Sequence, residues 1–260
     1  MPAVHSAVMN FDISRLLENW ECQPGQVVVR KFKGRDGTEK IQLRVDLGIL
    51  QMNAGGRPDG KRPMGHDSWF DHYQARLAKR EDAAGEADAD FTLSANDCAK
   101  LQQEFIQYHH RYICLFQLSD YQGVLRDTER NLDVLEFAEA YAATSDLVWS
   151  LLQFFPQVLM MRARAEGNLL LQAKENAEAC EYLRDCLDQL RTFYREHARP
   201  ELIEQSGELQ SLELWLQEIE ANHPLSKREK LERDLREAVE SEDYKRAARV
   251  RDLLKNLRSS

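Results

Sequence analysis

A chain of 260 residues, 43% hydrophobic and 30% charged, has room for one or two domains and enough apolar content for a packed core, which excludes a disordered protein. Its formal net charge of −9 argues against a broad nucleic-acid surface, because phosphate contacts need accumulated Lys and Arg. The charge is uneven: residues 76–225 carry 14 Lys and Arg against 27 Asp and Glu, whereas residues 226–260 carry 11 against 8.

"NFDISRLLENW" (10–20) predicts a short helix capped by Asn10 or Asp12, with Ile13, Leu16, Leu17 and Trp20 on one side. In "KIQLRVDL" (40–47) Ile41, Leu43, Val45 and Leu47 alternate with polar residues, which predicts a half-buried strand. "VVVRKF" (27–32) ahead of the turn cluster "GRDG" makes a hairpin with it, and "GILQM" (48–52) extends the second strand or begins a third. The glycine- and proline-rich "NAGGRPDGKRPMG" (53–65) is loop. A helix follows over 67–80, and "EDAAGEADAD" lacks any large apolar residue, so residues 81–91 read as a linker.

From Thr92 onward the period is helical. Ser94 and Asp97 form a capping-box start, and Leu101, Phe105, Tyr108, Tyr112 and Phe116 make one stripe. After a turn at 118–121, Val124, Thr128, Leu132 and Leu135 mark a second helix. A third spans 145–172 with an interruption at Pro156, a fourth ends near His197, and a fifth (201–221) carries Leu209, Leu212, Leu216 and Ile219. Segments 111–132 and 162–187 resemble tetratricopeptide hairpins, with turns about 55 residues apart instead of ~34.

Five cysteines, an odd number without a CxxC pair, point away from a disulfide framework or a Cys-rich zinc site and toward reduced thiols in a cytoplasmic protein. No signal-peptide pattern and no apolar run of ~20 residues occurs.

Candidate chemistry is sparse. The glycines of 55–63 can expose backbone N–H groups, and Arg57, Lys61 and Arg62 form a candidate anion-binding set; the competing reading is a plain connecting loop. His66, Asp67, Asp71 and His72 cluster at metal-ligand spacing, although Asp is favoured at helix N-termini anyway. No Ser-His-Asp or Cys-His arrangement stands out, and neither a catalytic residue, a cofactor nor a metal is assigned.

"LERDLREAVESEDYKRAARVRDLLKNL", from Leu231, resembles the UVR motif found in UvrB, in UvrC, in ClpC-type chaperones and in the McsA kinase activator. Leu231, Leu235, Ala238 and Val239 match its first helix. Glu242, Asp243 and Tyr244 match its turn, and Ala247, Ala248, Arg251, Asp252, Leu254 and Leu257 match its second helix; Lys245 stands where an acid is usual. The whole layout also resembles a family of uncharacterised bacterial proteins that carry a UVR motif. The resemblance implies a helical hairpin that docks on another protein or on a second copy, with capping of the helical array as the competing role.

The expected architecture is mainly α. A small α+β portion (1–80) and a linker (81–91) precede a tetratricopeptide-like helical domain (92–222) and a UVR hairpin (226–258). The expected function is a non-enzymatic interaction or scaffold protein, without membrane or strong nucleic-acid binding. Alternatives are a regulator of protein quality control and a nucleic-acid repair accessory. In the hairpin, Leu231, Leu235, Ala247, Ala248 and Leu254 are expected to line the seam, Asp243 to cap the second helix, and Tyr244 to cover the open end.

Overall fold

The computed structural model describes residues 12–23, 25–84, 91–197, 199–222, 227–241 and 243–258. They form two compact units, divided between Leu152 and Gln153. The 81–91 stretch is not that division. Residues up to Ala84 continue a helix, Phe91 is buried, and 85–90 lie outside the described residues.

The first unit opens with one helical turn, α1 (Ser14–Leu17), where Asp12 accepts the Ser14 N–H at 2.9 Å. Strands β1 (Val28–Lys33), β2 (Glu39–Val45) and β3 (Gly48–Asn53) then form an antiparallel sheet in that order. Ile41 pairs with Met52 on the buried side, while Arg30, Gln42 and Gln51 are hydrogen-bonded in a row across the other. Leu47 departs from the expected alternation and is 89% exposed, because β2 ends at Val45 and Leu47 occupies the tight turn into β3.

Helix α2 (Trp69–Ala84) leads to α3 (Ala95–Gln117) and α4 (Tyr121–Tyr141), then α5 (Ser145–Leu152). Ser94 and Asp97 form the capping box of α3. Leu93 pairs through backbone hydrogen bonds with Tyr141 and Ala143, so the start of α3 lies beside the end of α4 and the two run antiparallel. Tyr108, Tyr112 and Leu135 are buried as the stripes predict; Leu132 is only half-buried, and the inward position beside it belongs to Asn131.

In the second unit the helix expected over 145–172 is already broken: α6 (Phe155–Gln172) begins afresh with Pro156 in its first turn, where a missing N–H costs nothing. It pairs with α7 (Asn176–Glu196), and Phe155 stacks on Phe193 at 4.6 Å, so this pair is antiparallel too. The turn α8 (Leu202–Gln205) and α9 (Gly207–Asn222) follow; Leu209, Leu212, Leu216 and Ile219 are all buried. Last come α10 (Lys227–Glu240) and α11 (Tyr244–Arg258).

The pairs α3/α4 and α6/α7 share one register, displaced by 55 residues. Their first helices end at Gln117 and Gln172, and their second helices are Tyr121–Tyr141 and Asn176–Glu196. Both turns use a left-handed residue, Ser119 (φ 56°) and Lys174 (φ 65°). They close alike: Asp120 donates its N–H to Leu115 O, and Glu175 to Leu170 O. Interiors differ at matched positions. Buried Thr128 and Asn131 in α4 correspond to buried Leu183 and Cys186 in α7.

Candidate functional site

The glycine-rich loop after β3 is held by arginines of the helices beside it. Arg111, 1% exposed, donates to the carbonyls of Asn53 (3.1 Å) and Gly56 (2.6 Å), and Arg126 donates to that of Ala54 (3.2 Å). Arg111 also makes a bidentate pair with buried Asp127, at 2.6 and 2.8 Å. Arg57 turns inward, its Nε 2.9 Å from the fully buried carboxylate of Glu104 in a Coulombic contact without hydrogen-bond alignment. Glu104 also pairs with Arg130 and accepts the Trp69 N–H at 2.8 Å, capping α2.

The candidate anion set therefore does not converge. Arg57 is buried against Glu104, Arg62 points out to Asp67 at 2.9 Å, and Lys61 is exposed. The loop presents carbonyl oxygens to Arg111 and Arg126, so it acts as a latch between sheet and helices. Sequence reasoning missed the network behind it. The available signal was Asp127 and Asn131 prolonging the inward lane of Val124 and Thr128.

His66 and His72 lie with ring centroids 5.2 Å apart, and among the described residues no group of three or more His, Cys, Asp or Glu is placed to hold a metal. All five cysteines are free thiols; burial pushes Cys114 up to about 12 and Cys186 up to about 11, far from thiolate reactivity.

The C-terminal pair α10/α11 packs on itself. Ala238 is fully buried, and Ala247 and Val250 are nearly so, with Leu231, Leu235 and Leu254 half-buried along the same seam. Small side chains at 238 and 247 let the two helices approach closely. Asp243 accepts the Arg246 N–H at 3.0 Å and caps α11. Arg236 reaches Glu181 on α7 at 2.6 Å through half-exposed side chains.

Residues 226–260 match the UvrB/uvrC motif. No curated protein and no solved structure matches the chain. The UVR hairpin is an interaction module, and its geometry corrects the residue-level expectation in two places, at Ala248 and at Tyr244. Ala248 is exposed instead of lining the seam, because 247, 250 and 254 share one helical face and one residue turns the next side chain by about 100°. Val250, which sequence reasoning missed, takes the seam position. Tyr244 is 69% exposed and covers nothing. Arg251 and Asp252 are exposed, with no ion pair among the described residues. No helix of the described residues is long and apolar enough to cross a membrane.

Proposed function

We propose that this chain is a non-enzymatic docking protein of the cytoplasm. In this reading the UVR hairpin captures another protein or a second copy, and the helical pairs before it serve as a tetratricopeptide-like scaffold. The observation that supports the reading is the division of labour within the hairpin. Its seam is formed where α10 meets α11, while Val239 (52% exposed), Tyr244 (69%) and Leu253 (52%) stay in solvent. A hairpin that merely capped the array would turn such side chains inward, since exposed apolar groups on a capping element gain nothing. The tie to α7 through Arg236 and Glu181 is a half-exposed ion pair, worth at most about 1 kcal/mol.

The test is affinity capture from lysate by the full chain and by a chain lacking 227–258, followed by reconstitution with each purified captured protein. Direct binding that disappears with the hairpin is expected. Partners retained in full by the truncated chain would leave the hairpin a cap.

A further inference from the structure

We infer that the free edge of β3 pairs with the same edge of a second copy of this chain, joining two three-stranded sheets into one of six strands about a two-fold axis at Leu50. This goes beyond the docking reading above, since it uses no residue of the hairpin. The hydrogen-bond pattern fixes which backbone groups are on offer. Ala54 donates its N–H to Glu39 O at 3.0 Å, so the even-numbered residues of β3 face β2, whereas Asn53 turns its N–H away, to Pro58 O at 2.8 Å. The N–H and C=O groups of Ile49 and Gln51 therefore point outward, and among the described residues nothing takes them up. Leu50 between them is 38% exposed.

The two edges of the sheet differ in what they admit. On β1, Gly34 donates to Thr38 O, so Val29, Lys31 and Lys33 turn their backbone groups outward. Lys31 is held by Glu39 at 3.0 Å while Lys33 is exposed, and charged side chains on an edge strand hinder a second strand from docking. β3 reads GILQMN and carries no charge at all. An edge of that kind has nothing with which to select an acidic or a basic partner, and it meets its own copy without repulsion.

Register follows from the outward groups. With Leu50 opposite Leu50 of the second copy, Ile49 of each strand lies opposite Gln51 of the other, and the two pairs exchange their outward N–H and C=O groups. The same register sets Leu47 opposite Asn53 of the other strand. Leu47 is 89% exposed at the tip of the turn between β2 and β3, and Asn53 stands at the Pro58 end of a cleft of about 150 Å³ lined by Leu50, Met52, Pro58, Gln107 and His110. The contact thus covers Leu50 and brings the most exposed large apolar side chain among the described residues to an apolar seat. A pair of strands alone is marginal in water, so burial around the cleft works together with the backbone bonds. With no charge at the contact, salt does not weaken it. The contact is isologous, so the assembly closes as a dimer that carries two UVR hairpins.

Sedimentation velocity of the full chain over a concentration series, with amide hydrogen exchange followed along β3, tests this. The expected result is a monomer–dimer equilibrium that persists at high salt, with the Ile49 and Gln51 amides gaining protection as the concentration rises. Leu50→Lys and Leu50→Glu each set like charges against each other at the axis and should weaken the dimer at least about tenfold. An equimolar mixture of the two variants, with opposite charges now facing, should recover it. Gln51→Pro removes an outward N–H and no bond to β2, and should weaken the dimer as well. Lys33→Glu on the β1 edge should change nothing. The Met52 amide, bonded to β2, stays slow in each variant if the sheet is intact. A chain that is monomeric at every concentration overturns the inference, as does a dimer indifferent to the Leu50 variants or a mixture that fails to recover. Protection of Ile49 and Gln51 by an added synthetic uncharged strand peptide, in a chain that stays monomeric, would assign the edge to a foreign strand and overturn it too.

Discussion

At Asp127 one buried carboxylate serves two guanidinium groups, Arg111 at 2.6 and 2.8 Å and Arg126 at 2.9 Å. Arg111 in turn holds two carbonyls of the glycine-rich loop. Asp127→Ala removes the carboxylate paired with a fully buried arginine, and such uncompensated charge costs about 3–5 kcal/mol. The expected outcome is a large fall in the urea midpoint of residues 12–152, together with faster hydrogen exchange at 53–58; an unchanged midpoint would show that water replaces the carboxylate. In the sequence this network left one signal, the continuation of the inward lane of Val124 and Thr128 by Asp127 and Asn131, and the apolar pattern does not read it. Within "RDTERN" Asp127 looks like one more acid on a solvated helix, and a stripe rule that counts only apolar residues passes over a lane that ends in Asp and Asn. The same rule did find Tyr108, Tyr112 and Leu135, whose bulk is apolar, with the Tyr112 hydroxyl 2.7 Å from His109 Nδ1.

Among elements, the UVR hairpin shows what spacing can decide and where it slips by one residue. Paired alanines at 247 and 248 announce close approach without saying which of them makes it. The seam is set by 247, 250 and 254, so Ala247→Glu inserts an unpaired charge where α10 and α11 meet, at a cost of roughly 3–5 kcal/mol. Hydrogen exchange across 227–258 should become fast in that variant and stay slow in Ala248→Glu; equal protection in both would mean that the seam lies elsewhere. Caps and breaks were legible because their chemistry is local: Ser94 with Asp97, Asp243, and Pro156 at a helix start. The latch was not, since its arginines and the carbonyls they hold lie more than fifty residues apart in the chain.

For the whole molecule, the division at Leu152 and Gln153 means that acid acts unevenly. His109 and His110 both lie in the first unit, and burial, with the neighbouring His110, holds His109 down at about 4 from an ordinary 6.5. Between those two values the unfolded chain takes up a proton that the folded one refuses, so stability falls as pH drops through that window. The denaturation midpoint of residues 12–152 should decline from pH 7 to pH 4, with His109→Gln flattening the decline. A midpoint that is flat in the parent chain contradicts the assignment.

The displaced register of the two helical pairs bears on how the chain finds its own partners while folding. Second helices of equal length that follow matched turns are geometrically interchangeable, and interchangeable modules invite mispairing. Laying α3 against α7 would set Arg111 opposite the lane of Leu183 and Cys186, with no carboxylate to meet it. The ionic interior of one pair and the apolar interior of the other therefore act as an address that favours each helix's proper mate.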